Sequence, residues 1–564
     1  MNKHAKYVTC AVAMGLSAGA AWGRPSLQGD ANVDLALTSR HADVREQALD
    51  HLIQDRTTTP KLLSHLGVLL GDEDLYIAGK AATALSLRGA AAFATLSGLL
   101  ERGSRQQRWG AAVALTKTKS DIRPFVPALA RALTADDDRL VTASLSALAR
   151  AGSDSAPALP ALRLLLTHKE IEIRWATLMA LAAIGPAARA VLPQIMPLLD
   201  DAAPELRLAA ATATKHIQPP VPIAEQQLHE NLAWLKEHIP TLMRKHHVPG
   251  VSIAIIQRRQ ISWAQGFGVS DVRTATPVTV DTIFEACSMS KPILAMSALQ
   301  LIQQGRLDLD VPLTQYLGHD YLPDQPEQRR ITARMALTHR TGLPNWRIGY
   351  DEMGGPLAAL FAPGSDYLYS GEGILFLQRA MEVITKTSLD RYAQEQLFAP
   401  LQLAHTSFTW TQDIERNLAS GHDALGAFKE RTHYRQANGA YSLYTTPTEY
   451  ARLMLTLMSP NFLGTRGYWQ ASIDLLLQRQ QRVADEDVVQ RPAPAKAVAT
   501  YRALGWGIDV TADGDIIQHS GSNSSGFRSF GQFNPDKGSG LVIFTNGESG
   551  SVVRDAVLAR IGNL

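Results

Sequence analysis

Three candidate nucleophiles lie within four positions of FEACSMSKPILA, residues 284–295: Cys287, Ser288 and Ser290. Lys291 follows them directly. If a helix begins near Ser288, side chains three positions apart lie on one helix face and meet, and Ser288 and Lys291 form such a pair. A serine hydroxyl needs a base, and a partly buried amine with a lowered pKa can serve as one. The spacing therefore predicts Ser288 as the nucleophile and Lys291 as its activator.

The two other candidates are less suited to chemistry. Cys287 precedes the expected helix and follows apolar Phe284 and Ala286, so we expect it to point into the core. Ser290 is adjacent to Lys291 in sequence and faces away from it. Pro292 is tolerated in the first helical turn, where backbone amides lack intrahelical partners.

Two further polar segments could complete a cleft. Tyr369, Ser370 and Gly371 are expected in a turn ahead of a helix, and His519-Ser520-Gly521 closes a strand-like run. A nucleophile on a helix, a tyrosine on a loop and a basic residue on a strand would form three walls. An S-x-x-K tetrad is common by chance, so its weight comes from these companions.

In this order the segments resemble the S-x-x-K, Y-x-N and K/H-x-G motifs of the serine β-lactamase and penicillin-binding-protein superfamily. The closest likeness is to its class C branch, which includes esterases and D-amino-acid peptidases. The resemblance runs from about residue 225 to the C-terminus. Further similar stretches are LIQQGRLDLDVPLTQYL (301–317), ITARMALTHRTGLP (331–344) and LGWGID (504–509).

The resemblance implies an acyl-enzyme on Ser288, with proton transfer shared by Lys291 and Tyr369. Which of the two is the base in acylation stays open. The backbone amides of Ser288 and Ser522 would form the oxyanion hole, and His519 would orient the tyrosine or meet a substrate carboxylate. Substrate-binding and oxyanion positions are implied at His519, Gly521, Ser522 and Ser370. No metal or cofactor is implied.

One residue departs from the family pattern. Gly371 stands where the Y-x-N motif has an asparagine that helps to hold the substrate's amide carbonyl. The substitution favours an ester or small amide substrate. A β-lactamase or D-Ala peptidase proper is the alternative within the class. The rival from another class is a catalytically silent protein that binds cell-wall or peptide ligands.

The bulk composition indicates a folded, exported protein. The 564 residues carry a net charge of +2, so the charge does not indicate a polyanion partner, and we expect no binding to nucleic acid. Residues 1–23 resemble a cleavable signal peptide, so we expect a periplasmic or secreted protein. We expect no later segment to be long and apolar enough to cross a membrane. Once the signal peptide with Cys10 is removed, Cys287 has no disulfide partner.

Residues 30–217 form an internal repeat. Ala-Leu pairs at 84, 114, 147 and 180 recur at steps of 30 and 33 residues, and each unit reads as two helices. Such units bury their apolar faces only by stacking, which predicts an all-α solenoid that resembles HEAT repeats. We expect either a docking surface for a protein partner or a stabilising spacer.

The chain after the repeats has a different pattern. QPPVPIAEQQ, residues 218–227, predicts a linker, because its three prolines stop helices. From 228 to 564, strand-like runs at both ends enclose a helical stretch. This predicts a multidomain protein whose second part is an α+β domain of the β-lactamase/transpeptidase type, an antiparallel sheet flanked by helices with a helical insert.

Overall fold

The computed structural model describes residues 30–322, 324–347, 357–459, 470–484 and 497–562. The segment expected to be a signal peptide, residues 1–23, lies outside the described residues. The chain divides into two compact units, Met1–Leu162 and Arg163–Leu564. The expected domain boundaries at 30–217, 218–227 and 228–564 stay predictions.

The N-terminal region is helical. In the first unit the helices are α1 (Asp30–Leu37), α2 (Ala42–Gln54), α3 (Pro60–Leu69), α4 (Leu75–Ser86), α5 (Phe93–Arg102), α6 (Arg105–Lys117), α7 (Val126–Ala132) and α8 (Asp138–Ala151), and α9 (Leu159–Leu165) crosses the division. The second unit continues with α10 (Ile171–Ile184), α11 (Leu192–Ile195), α12 (Pro204–Ile217) and α13 (Glu225–Lys245).

The repeat seen in the sequence is a repeat of helices. The alanine-rich helices α4, α6, α8, α10 and α12 begin at residues 75, 105, 138, 171 and 204. The helix starts are therefore separated by the same steps of 30 and 33 residues as the Ala-Leu pairs. The four pairs between residues 84 and 181 are all buried. The expected helical region is confirmed, and its solenoid arrangement stays a prediction.

Arginines near the start of two of these helices, α6 and α10, have a common structural task. Arg108 donates to the carbonyl of Leu100 at 3.2 Å. Arg174 does the same to His168 at 2.8 Å. The carbonyls at the end of a helix or turn lack intrahelical donors, so each arginine satisfies one of them.

One helical stretch is long and apolar enough to cross a membrane by length and composition alone, which corrects the expectation that no such segment follows the N-terminus. It runs from Ile171 to Asp200, and just over half of its most apolar part is buried inside the protein. Gly185 and Pro186 interrupt it between α10 and α11. We therefore describe it as core helix.

The second unit contains a nine-stranded antiparallel sheet in the order β3-β2-β1-β11-β10-β9-β8-β7-β6. The strands are β1 (Gly250–Gln257), β2 (Gln260–Asp271), β3 (Thr276–Pro277), β6 (Gln481–Arg482), β7 (Ala499–Arg502), β8 (Gly507–Thr511), β9 (Gly514–Ser522), β10 (Arg528–Asn534) and β11 (Ser539–Thr545). A separate pair consists of β4 (Phe284–Glu285) and β5 (Tyr444–Thr445).

Helices lie between the two groups of strands in sequence. They are α14 (Ser290–Gln303), α15 (Leu313–Leu317), α16 (Ala333–Leu337), α17 (Gly371–Thr385), α18 (Leu389–Ala393), α19 (Gln412–Asn417), α20 (Pro447–Met458) and α21 (Gln470–Leu476), and α22 (Gly550–Ile561) closes the chain. The strands come from both ends of the domain, and β1 pairs directly with β11. The predicted α+β fold with a helical insert is confirmed.

Both faces of the central sheet are covered. Ile253 and Ile255 of β1 pack with α13 and α22 on one face. Ala254 and Ile256 point to the other face, into the core around α14 and α20. Every residue of β1 is buried, which explains the unbroken apolar run in its sequence. The middle of the sheet is thus a rigid base for α14, the helix that follows Ser288.

Helix α12 packs against the strands β7 and β8 at the far side of the sheet. Ala211 is buried in a cluster with Val498, Ala499 and Val510. Arg207 donates to the carbonyl of Val498 at 3.2 Å. The last helix of the repeat region is therefore part of the same compact unit as the sheet.

Candidate active site

Only one of the three candidate nucleophiles reaches solvent. Cys287 and Ser290 are fully buried, whereas Ser288 is half-buried. A single 3₁₀ turn, Cys287–Met289, carries them into α14. Ser290 donates to the carbonyl of Cys287 at 2.6 Å and accepts from the amide of Leu443 at 3.0 Å. Its hydroxyl therefore connects the turn to the segment directly before β5. The structure therefore leaves Ser288 as the exposed hydroxyl of this turn.

The amine of Lys291 lies beside that hydroxyl. Lys291 is completely buried. Its Nζ donates to Ser288 Oγ at 3.2 Å and to the carbonyl of Ala440 at 2.8 Å. Within the described ranges no carboxylate pairs with it. The predicted three-residue spacing thus brings Ser288 and Lys291 into direct contact.

The ring of Tyr369 lies over the same amine. Its centroid is 4.7 Å from Lys291 Nζ. The imidazole of His339 lies 4.4 Å from the phenol ring, centroid to centroid, and that of His519 lies 6.3 Å away. The Arg502 guanidinium is 5.8 Å from the ring centroid. The phenol is thus surrounded by two cations and two imidazoles.

His339 holds the turn that carries Tyr369. Its Nδ1 accepts the amide hydrogen of Ser370 at 3.1 Å, and its carbonyl accepts that of Leu368 at 2.9 Å. Because a backbone N–H faces Nδ1, the ring proton is on Nε2. Burial, and then the charges of Arg502 and Lys291, hold the pKa of His339 well below its usual value. His339 is therefore neutral, as a residue that stabilises a turn.

His519, at the other side of Tyr369, is also neutral. Burial, and then the charges of Lys291 and Arg502, lower its pKa. Its Nδ1 lies 2.7 Å from the carbonyl of Ser520 and so carries the proton. Its Nε2 is buried and has no hydrogen-bond partner in the part of the chain that the structure describes. His519 thus offers an unused lone pair beside the phenol.

The end of β9 lies against the turn before Ser288. A Cβ atom on Gly521 would lie 2.6 Å from the carbonyl oxygen of Ala286 and 2.8 Å from Cys287 Cβ. No side chain larger than hydrogen fits there, and the strand approaches the turn closely for that reason. Ser522, the next residue, is exposed. The structure therefore places Ser522 next to the segment that carries Ser288.

Ser370 corrects one expectation. It was predicted among the substrate-binding positions, but it is fully buried. Its Oγ donates to the carbonyl of Pro344 at 2.9 Å and accepts the amide hydrogen of Gly373 at 2.9 Å. It is the N-cap of α17, so its hydroxyl is occupied by the protein.

Gly371, the first residue of α17, is crowded from one side. A Cβ atom there would lie 2.6 Å from the Trp346 ring and 2.8 Å from the carbonyl oxygen of Asn345. The amide of Gly371 donates to this carbonyl and to Asn345 Oδ1. The loop from Asn345 to Arg347 therefore fills the space that a side chain at position 371 would need.

Several residues of this site carry no signal that the sequence analysis could use. Arg502 is a polar residue of ordinary type in a segment without a motif. Ala440 contributes only its carbonyl oxygen, which any residue could supply. His339 lies within the stretch ITARMALTHRTGLP, but its contact with Tyr369 joins two segments that are 30 positions apart. Among the described residues, no three His, Cys, Asp or Glu side chains are grouped so that they could hold a metal ion.

The sequence profile of one family, Beta-lactamase, matches residues 235–563, more than half of the chain. The chain belongs to the β-lactamase family. Its β-lactamase-family domain is the described sheet with the helices around it. Members of this family are generally serine hydrolases.

Curated relatives are distant. "Protein flp" of Staphylococcus aureus (strain NCTC 8325 / PS 47) is 24% identical over 319 residues, which are 54% of this chain and 61% of that protein. "Unguisins hydrolase ungD" of Aspergillus violaceofuscus (strain CBS 115571) is 22% identical over 307 residues, 49% of this chain and 54% of that protein. The chain thus spans less than two thirds of the length of these relatives.

Two solved structures are similar. An octameric penicillin-binding protein homologue from Pyrococcus abyssi is 20% identical with a TM-score of 0.49, and the match covers 59% of this chain and 77% of that one. The D-alanine carboxypeptidase AmpC from Burkholderia cenocepacia is 21% identical with a TM-score of 0.49, over 60% of this chain and 100% of that one.

Proposed function

We propose that this β-lactamase-family protein is an exported serine hydrolase that cleaves an ester or small amide through an acyl-enzyme on Ser288. One observation carries the proposal: the half-exposed hydroxyl of Ser288 lies 3.2 Å from the buried amine of Lys291. A serine hydroxyl in hydrogen-bond contact with a basic side chain is the arrangement that nucleophilic catalysis by serine requires.

In the proposed acylation, Ser288 Oγ attacks the scissile carbonyl carbon while its proton passes to the Lys291–Tyr369 pair. The negative charge that develops on the carbonyl oxygen is stabilised by the backbone amides of Ser288 and Ser522, a contribution of typically about 3 kcal/mol per donor. The bond to the leaving group breaks and the leaving group takes up the proton. Water then attacks the acyl-enzyme carbonyl and releases the acid.

The three groups around Tyr369 have separate tasks in this proposal. Lys291 Nζ contacts the serine hydroxyl and lies over the phenol ring, and the fixed carbonyl of Ala440 orients it. His519 Nε2, an acceptor without a partner in the described part of the chain, orients the tyrosine or accepts a hydrogen bond from the substrate. His339 acts through the backbone of Ser370 and keeps the Tyr369 turn in place.

The absence of a side chain at position 371 supports an ester or small amide over a β-lactam or a D-Ala peptide. The indole of Trp346 takes up this space. A β-lactamase or D-Ala peptidase activity is the second candidate, favoured by the family membership alone. The relative called unguisins hydrolase is consistent with hydrolysis as the reaction class.

Export and partner binding are further parts of the proposal. Residues 1–23 support delivery to the periplasm or the medium. The helical repeats support a docking surface for a protein partner. N-terminal sequencing of the protein recovered from the periplasm tests the cleavage. The protein should begin at residue 21 or 24 if the signal peptide is cleaved, and at Met1 if it is not.

Labelling separates the candidate functions. Wild type and Ser288→Ala are incubated with a fluorescent fluorophosphonate and with a fluorescent penicillin. Ser288-dependent labelling by the fluorophosphonate alone supports the ester hydrolase, and labelling by both supports the β-lactamase or peptidase. No Ser288-dependent label with either probe would overturn the proposal and favour a silent binding protein. Short-chain p-nitrophenyl esters, a chromogenic cephalosporin and D-Ala peptides then define the substrate.

A further inference from the structure

The side chain of Asn345 is held against the start of α17 by two contacts. The amide of Gly371 donates to Asn345 Oδ1 at 2.9 Å and to the Asn345 carbonyl at 3.1 Å. The amide of Glu372 donates to the same carbonyl at 3.1 Å. The carboxamide is thus fixed by backbone groups that belong to a different segment of the chain.

These contacts determine which way the carboxamide is turned. A backbone N–H is a donor, so the atom that faces Gly371 is the amide oxygen, and the NH₂ group points away from the helix. Asn345 is exposed. Among the described residues its NH₂ group has no hydrogen-bond partner. Two hydrogen-bond donors are therefore presented to solvent beside Gly371, which lies two residues after Tyr369.

The neighbouring residue places this loop beside the reacting groups. The Trp346 ring lies edge-on to Tyr441, with centroids 5.3 Å apart. Tyr441 directly follows Ala440, whose carbonyl binds Lys291 Nζ at 2.8 Å. The loop therefore borders both the Tyr369 turn and the turn that orients Lys291.

An ion pair makes the loop rigid. Arg347 Nε and Nη2 donate to the two carboxylate oxygens of Glu372 at 2.9 and 2.8 Å. Glu372 is buried, and the backbone amide of Arg347 also donates to it at 3.3 Å. A bidentate guanidinium–carboxylate pair fixes both partners in one geometry. The NH₂ group of Asn345 is therefore preorganised before substrate arrives, which lowers the entropy cost of a contact with it.

We propose that Asn345 is a specificity-determining residue of the site, whose NH₂ group donates a hydrogen bond to a second carbonyl of the substrate. The proposal rests on the proposed hydrolase function. It defines a substrate class: esters or amides whose acyl group carries a further carbonyl oxygen beyond the scissile bond, such as N-acylamino acyl esters. The adjacent Trp346 ring offers apolar contact to the rest of such an acyl group.

The test compares two esters, phenyl N-acetylglycinate and phenyl acetate, of which the second lacks the acetamido group that carries the second carbonyl. Asn345→Asp keeps the oxygen that accepts from Gly371 and removes both donors. Negative charge near the N-terminus of α17 is tolerated, so the variant should fold. Asn417→Asp, an exposed change of the same kind on α19, controls for the added charge.

We expect the ratio of kcat/KM for phenyl N-acetylglycinate to that for phenyl acetate to fall about tenfold in Asn345→Asp, the size of one hydrogen bond. Asn417→Asp should keep the wild-type ratio. An unchanged ratio in Asn345→Asp, with Ser288-dependent turnover of both esters by wild type, would overturn this inference alone. No Ser288-dependent turnover of either ester by wild type would overturn the proposed function, and the inference with it.

Discussion

The carboxylate of Glu285 accepts a hydrogen bond from the Asn523 carboxamide at 2.7 Å. Glu285 lies three residues before Ser288, and Asn523 directly follows Ser522, so this contact joins the two segments that carry the proposed oxyanion amides. Ser525 donates to the same carboxylate oxygen at 2.8 Å. Glu285 is 1% exposed, and its described contacts include no cation.

The stability of the protein should therefore depend on the ionisation of Glu285. Burial raises the pKa of Glu285 above its usual 4.5, although the hydrogen bonds from Asn523, Ser525 and Tyr434 oppose the shift. The folded state then holds a proton that the unfolded chain has lost. This stabilising effect is complete below pH 4.5 and is lost as the pH rises through the raised pKa of the folded state.

The variant Glu285→Gln tests this effect, because its side chain does not ionise. Urea unfolding at pH 4.5 and at mildly alkaline pH should show a larger loss of stability in wild type than in Glu285→Gln. His339 and His519 have the opposite pH dependence, but they are present in both proteins and cancel in the difference. Equal pH dependence of the two proteins would contradict a raised pKa at position 285.

Replacing Lys291 by methionine should abolish most of the proposed activity without unfolding the protein. The substitution keeps the volume of a buried side chain and removes the amine that contacts Ser288 Oγ and lies over the Tyr369 ring. Loss of a general base typically costs about 100-fold or more in kcat/KM. The assay is hydrolysis of p-nitrophenyl acetate, with the thermal midpoint measured in parallel. Lys236→Met, on the exposed side of α13, is the control and should retain both. Full activity in Lys291→Met would exclude the lysine from the chemistry.

The parts of this structure that sequence predicts well are those governed by local spacing. The contact between Ser288 and Lys291 follows from a three-residue step at the start of a helix, and the starts of α4 to α12 follow from the period of the Ala-Leu pairs. The alternation in β1 is hidden because both faces are buried, but its apolar run still indicates a strand.

The parts that sequence does not predict depend on distant backbone. Ala440 meets Lys291 across 149 positions, and the contact uses a carbonyl that every residue has. Asn345 Oδ1 accepts from the backbone amide of Gly371, a donor that nearly every residue type has, so the sequence does not indicate this contact. A serine such as Ser370 can either bind substrate or cap a helix, and the sequence does not distinguish the two. Its burial in the structure indicates the cap. The packing of α12 on the sheet cannot be predicted from the prolines that follow the helix, because they indicate only where it ends.

We expect the variant Cys287→Gly to be more stable toward unfolding than the variant Cys287→Ala. Its backbone has φ = 55°, in the left-handed region, where a Cβ atom costs about 1 kcal/mol. Both variants lose the thiol, but only Cys287→Gly also loses the Cβ strain. We expect Cys287→Gly to exceed Cys287→Ala by about 1 kcal/mol in the free energy of unfolding. Ala286 has φ = −76°, so glycine should be less stable than alanine at this position. If alanine were also more stable than glycine at position 287, the explanation from the backbone angle would be contradicted.

A side chain at position 371 should be destabilising because of Trp346. The Cβ atom of Gly371→Ala would lie 2.6 Å from the indole, and overpacking of this kind costs about 1–3 kcal/mol. In a Trp346→Ala background the same change should cost at least about 1 kcal/mol less, which a double-mutant cycle of thermal unfolding measures. Gly79→Ala on α4 has open space around its Cβ and should be neutral or stabilising. An additive cycle would show that the indole does not restrict position 371.

The packing of α12 on the sheet should make residues of the repeat region essential for the stability of the unit that contains the active site. Ala211 is 1% exposed and contacts the cluster that includes Val498 and Val510. Ala211→Asp would bury a charge without a partner, which typically costs about 3 kcal/mol or more.

Lys215→Ala is the matched control on the same helix. It removes the ion pair with Asp536, whose two side chains are about one third exposed, and such pairs contribute less than about 1 kcal/mol. We expect Ala211→Asp to lower both the urea midpoint and the fraction of protein that turns over p-nitrophenyl acetate, while Lys215→Ala changes neither by much. If Ala211→Asp loses helical circular dichroism at a urea concentration at which it still hydrolyses the ester, α12 does not unfold together with the sheet.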